Sequence, residues 1–108
     1  MSGEPQGCGA PAGGVAVTEN SSGEAIIEGA VTAGGAPVPV GYARLLNSDG
    51  EFVAEVPLGG DGGFRFFAAP GNWTVRVLAP GGARAEETVT ADRGHTTTLA
   101  VSVTAPGS

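Results

Sequence analysis

Lysine does not occur in this chain of 108 residues, and cysteine, histidine, tryptophan, tyrosine and methionine occur once each. Each shortage removes a class of chemistry. Without lysine there is no lysine–asparagine or lysine–aspartate isopeptide crosslink. Five arginines against 11 acidic residues leave a formal net charge of −6, so the basic footprint that nucleic acid requires is missing and anionic membranes repel the chain. A lone cysteine, Cys8, cannot close an intramolecular disulfide, and nothing in the residue content asks for an oxidising compartment. One histidine and one cysteine fall short of the roughly four ligands of a zinc site. His95 has Asp92 only within its own turn and no positioned nucleophile, so no serine-type triad is expected. No apolar run approaches the ~20 residues of a membrane-spanning helix. The opening MSGEPQGCGAPAGG has neither the basic nor the apolar region of a signal peptide, which sets the expected location as cytoplasmic. No catalytic residue, metal or cofactor is expected.

What is present is glycine (20), proline (8) and 41% hydrophobic residues. Residues 1–23 show no apolar periodicity and read as a disordered Gly/Pro-rich tail, in which the short run Val15-Ala16-Val17 could pair transiently with a sheet edge. From residue 24 to 104, turn signals separate seven strand-like runs: A, Ala25–Thr32; B, Gly41–Asn47; C, Glu51–Val56; D, Phe64–Ala68; E, Trp73–Ala79; F, Arg84–Thr90; and G, Thr96–Thr104. Ser48-Asp49-Gly50 signals a hairpin, and GGDGG after run C reads as a glycine-rich turn. No helix follows that turn to cradle phosphate, and Asp61 alone cannot hold calcium. Residues 105–108 read as a frayed end. Alternation of period two predicts an all-β fold, a seven-strand antiparallel Greek-key sandwich. Its expected core is Ile27, Val31, Ala43, Leu45, Phe64, Phe66, Trp73, Val75, Val77, Val89, Leu99, Val101 and Val103. The sequons at Asn20 and Asn72 are read as chance occurrences.

The order IxGxV, Gly/Pro turn, GYARLL, hairpin, DGGFRF, APGNWTVRV resembles the transthyretin-like (prealbumin-like), carboxypeptidase-regulatory-like sandwich domains. That resemblance implies that Trp73 plugs the sandwich core and that Gly71 makes a corner. The strings RLLNSDGEFVAEVP and FRFFAAPGNWTVR are similar to an uncharacterised actinobacterial family whose genes tend to lie beside a thiosulfate sulfurtransferase (rhodanese). Members carry a cysteine near the N-terminus followed by Gly and Ala, here Cys8-Gly9-Ala10. The resemblance implies a sulfurtransferase as partner and a link to sulfur metabolism.

Two candidate sites follow. Cys8, in the Gly-rich segment GCGAP, is a candidate sulfur acceptor, because a mobile and accessible thiol can reach a partner's active site. Against it, no Arg or His stands nearby in sequence to favour the thiolate. The second candidate is the outer face of runs B and E. If Ala43, Leu45, Trp73, Val75 and Val77 face inward, then Tyr42, Arg44, Leu46, Arg76 and Leu78 face outward together, a mixture that partner-binding surfaces use. The plainer alternative is a solvated face on which the arginines pair with Glu51 or Glu55. The two function readings are a non-catalytic sulfur carrier or docking partner acting through Cys8, and a general protein-binding module acting through the B/E face. Phe67 is expected to face outward, and the pairing of sandwich edges leaves a homo-oligomer open.

Overall fold

The computed structural model describes residues 15–104, an all-β fold of nine strands in two stacked sheets. In chain order these are β1 (Val15–Glu19), β2 (Ala25–Ala33), β3 (Ala36–Pro37), β4 (Tyr42–Leu46), β5 (Phe52–Pro57), β6 (Gly63–Ala68), β7 (Gly71–Leu78), β8 (Arg84–Ala91) and β9 (His95–Ser102). The first sheet runs β1-β9-β2-β3, with β6 also paired to β2. The second runs β5-β4-β7-β8. Runs A to G correspond to β2, β4, β5, β6, β7, β8 and β9.

Two expectations need correction. The pairing is not wholly antiparallel: β2 and β9 run parallel from Ile26↔Thr96 to Thr32↔Ser102. Alternation cannot reveal this, because it is the same in either direction, and only the long crossover through the second sheet decides strand polarity. Nor is the segment before residue 24 unstructured throughout. Val15–Glu19 is an edge strand antiparallel to β9, in register Val15↔Leu99 to Glu19↔His95. Asn20 then locks the following turn. Its Oδ1 accepts from the Ser22 and Gly23 N–H groups at 3.1 Å each, and its Nδ2 donates to the Glu24 carbonyl and to Thr96 Oγ1 at 3.1 Å each. The Asn20 N–H donates to the Gly94 carbonyl, and Gly94 N–H returns a bond to Glu24. The five residues of Val15–Glu19, too few to carry a strand pattern of their own, gain order from the neighbouring β9. The other bounds expected for the tail and for the frayed end fall on residues outside those described.

The core is the expected one. Ile27, Val31, Leu45, Val75, Val77, Leu99 and Val101 are almost inaccessible, and all the other expected members except Trp73 are buried with them. Ala25, Val38, Leu58 and Ala91 join from strand ends and turns. Trp73 packs against this cluster from its rim, half-buried, with Nε1 donating to the Ala69 carbonyl at 2.8 Å. Thr97 is the buried polar residue among the described ones, and its hydroxyl donates to the Thr90 carbonyl across the two sheets at 3.2 Å. Two glycines are required by close approach. A Cβ at Gly29 would stand 2.5 Å from the Leu99 carbonyl oxygen and 2.6 Å from the Phe64 ring, which lies across it. Gly62, at φ +80°, lets the GGDGG turn reach β2, where its carbonyl accepts the Val31 N–H at 3.0 Å.

Candidate functional site

The outer face of the second sheet is built by the register of its four strands. Glu55 on β5 lies opposite Arg44 on β4, Arg44 opposite Arg76 on β7, and Arg76 opposite Glu86 on β8. The row therefore carries charges in the order minus, plus, plus, minus. Like charges directly opposite each other repel, and each arginine here is drawn to the carboxylate on its far side. Arg44 Nε meets Glu55 Oε1 at 2.6 Å, and Arg76 Nε meets Glu86 Oε2 at 2.7 Å. All four side chains are at least one-third exposed, so each pair contributes under about 1 kcal/mol.

The rest of that face divides. Tyr42 is exposed and Leu78 half-buried, side by side in register. Leu46 does not join them. It is only 4% exposed, although its place opposite Thr74, next to Leu45 opposite the inward Val75, keeps it on the outward side, and it stands outside the buried core cluster. The register shifts between Leu45↔Ala54 and Leu46↔Phe52, leaving Val53 unpaired on β5. This one-residue bulge lies on β5 and brings Phe52 opposite Leu46, while the alternation along β4 itself is unbroken.

On the first sheet, Arg65 and Glu28 face each other in register and make a third ion pair at 3.0 Å. Phe67 is exposed as expected, at 63%. Beside the ion pair lies a shallow groove of ≈ 990 Å³, bordered by Val15, Ala16, Ala30, Gly63, Ala100 and Pro57. Small residues at alternate outward positions of β1, β2 and β9 open it. Those alternate alanines were readable as strand faces, but their alignment into one depression needed the register. β1 begins at this groove, with Val15 and Ala16 on its border.

His95 is half-buried at the start of β9, with Nδ1 3.2 Å from the Arg93 carbonyl and its N–H donating to the Asp92 carbonyl. Among the described residues, no group of three or more His, Cys, Asp or Glu could hold a metal ion, and no helix is long and apolar enough to cross a membrane. Cys8 lies outside the described residues.

A family model described as a protein of unknown function, DUF1416, matches residues 8–103. The chain belongs to the DUF1416 family. Two uncharacterised proteins of Mycobacterium tuberculosis (strain H37Rv) are each 50% identical over 60 residues, which is 55% of this chain and 60% of theirs. An uncharacterised protein of Mycolicibacterium smegmatis is 50% identical over the same length, covering 67% of it. The match spans about three-fifths of the Mycobacterium relatives. The actinobacterial character of the relatives agrees with the resemblance drawn from the sequence. The DUF1416 match begins at Cys8 itself, so the cysteine stands inside the family's shared extent rather than in an appendage to it.

Proposed function

We propose that this protein is a non-catalytic accessory of sulfur metabolism, a docking partner and sulfur carrier for a thiosulfate sulfurtransferase, with Cys8 as the acceptor. The observation that carries the reading is that the family match starts at the chain's one cysteine, a short arm's length before an anchored strand. Six residues lie between Cys8 and Val15, so seven steps of ~3.3–3.6 Å give a reach of at most ~25 Å. That chain length limits how far the thiol can act from the start of β1. In the transfer, the Cys8 thiolate attacks the terminal sulfur of the enzyme's persulfide. The enzyme's S–S bond breaks, a new one forms on Cys8, and the enzyme thiolate leaves, with no net oxidation. A single thiol that must stay reduced suits the cytoplasm.

The finer fold assignment is part of the same proposal: a transthyretin-like Greek-key sandwich. It is supported by the neighbours of run A (β2), which are run D (β6) and run G (β9), and by the order C-B-E-F of the second sheet. The alternative reading, a binding module using Tyr42, Arg44, Leu46, Arg76 and Leu78, draws less support. Leu46 is buried, and both guanidinium groups are engaged by carboxylates of their own sheet.

The test is intact mass after incubation with thiosulfate and a sulfurtransferase encoded nearby. Wild type is expected to gain one or more sulfur masses, and Cys8→Ser none. No gain on wild type with an active sulfurtransferase overturns the reading.

A further inference from the structure

A sheet edge presents unpaired N–H and C=O groups, and proteins normally blunt it with charge, proline or a bulge. The other edge strands here carry such devices inside the strand. β8 holds Arg84, Glu86 and Glu87; β5 has Glu55, Pro57 and the bulge at Val53; β6 has Arg65; and β3 is two residues long and ends in Pro37. β1 differs. It ends the strand order of the first sheet, with β9 on one side and no described strand on the other. Its first four residues, Val15-Ala16-Val17-Thr18, hold no charge and no proline, and Glu19 stands only at its end. Val15 and Val17 lie opposite Leu99 and Thr97, whose side chains are buried between the sheets, yet they are 55% and 56% exposed. The apolar side of β1 thus continues the core face past the point where the second sheet covers it.

We propose that β1 is a self-association edge, on which two copies of this chain pair β1 to β1, antiparallel about a two-fold axis at Ala16. The occupant is a second copy because the strand complements itself. With Ala16 opposite Ala16, Val15 of each copy faces Val17 of the other, and no carboxylate meets a valine. Centring the axis on Val17 would instead set Val15 against Glu19. The pairing joins the two first sheets into one and covers the four valines with one another. Three residues per copy, Val15 to Val17, lie opposite one another, an interface far below the about 1,600 Å² of stable complexes, so the dimer is weak and concentration-dependent. Each copy carries a charge of −6, so mutual repulsion opposes it and added salt strengthens it.

Sedimentation equilibrium of the full chain over about 10 μM to about 1 mM, a range that brackets weak association, reads this directly. The weight-average mass is expected to climb from 10.5 kDa towards twice that value, more steeply at high salt. Val15→Glu/Val17→Glu should hold it at the single-chain mass. Val17→Thr, which keeps the β-branched shape and so the fold, should weaken association at least severalfold. A wild type that stays at the single-chain mass throughout overturns the proposal. So does association that survives both variants, or that is abolished by Phe67→Glu and not by the β1 variants. Cys8→Ser should associate as wild type does, which separates this outcome from that of the sulfur-carrier test.

Discussion

Single residues explain more of this fold than their apparent ordinariness suggests. Asn20 reads as one polar residue in a polar tail, yet its side chain holds both sides of the β1–β2 turn. Asn20→Ala is expected to cost about 1–2 kcal/mol and to raise amide exchange in Val15–Glu19 before the rest of the sheet, measured by urea unfolding and hydrogen exchange. Gly29 was legible as a core-face position but not as an obligatory glycine, because the Phe64 ring that covers it comes from another strand. Gly29→Ala should destabilise by about 1–3 kcal/mol, since the Leu99 carbonyl is backbone and cannot swing aside. Thr97→Val keeps the shape but leaves the Thr90 carbonyl without its partner across the sheets. A loss of about 1 kcal/mol is expected, visible as a lower urea midpoint at unchanged slope.

Among the elements, the seven principal strands were readable within one or two residues at each end, because apolar alternation and turn residues agree wherever one face meets the core. The two short strands were not, since two to five residues carry too little pattern. β1 forms because β9 offers it a ladder, and β3 because Ala33 and Thr32 pair back onto Ala36 and Pro37 across a two-residue turn. On the outer face of β4 and β7, Tyr42 is exposed and Arg44 and Arg76 pair with carboxylates of their own sheet, whereas Leu46 is buried, which alternation along β4 could not reveal. If the Glu55–Arg44–Arg76–Glu86 row is a solvated charge ladder, a double-mutant cycle between Arg76 and Glu86 should give a coupling under about 1 kcal/mol. On the sulfur-carrier proposal, Arg76→Ala should then leave the mass gain on Cys8 unchanged.

For the whole molecule, the decisive contact joins the second strand to the ninth. Parallel pairing of β2 with β9 closes a loop containing both hairpins of the second sheet, and loop closure must precede the contacts that reward it. Folding is therefore expected in milliseconds to seconds. Stopped-flow fluorescence of Trp73, the only tryptophan, follows it, and a complete sub-millisecond refolding phase would contradict the expectation.

What the sequence by itself determined is the class of the protein: an acidic, lysine-free all-β chain whose alternating residues name its core and whose one thiol lies ahead of the sheets. Those properties are local or summed, and composition and period-two patterning carry them. Only the tertiary structure decided which strands are neighbours, that β2 and β9 run parallel, that Leu46 is buried and that Val15–Glu19 is a strand. Each of these depends on register between segments distant in the chain, and alternation along one strand is blind to the partner lying beside it.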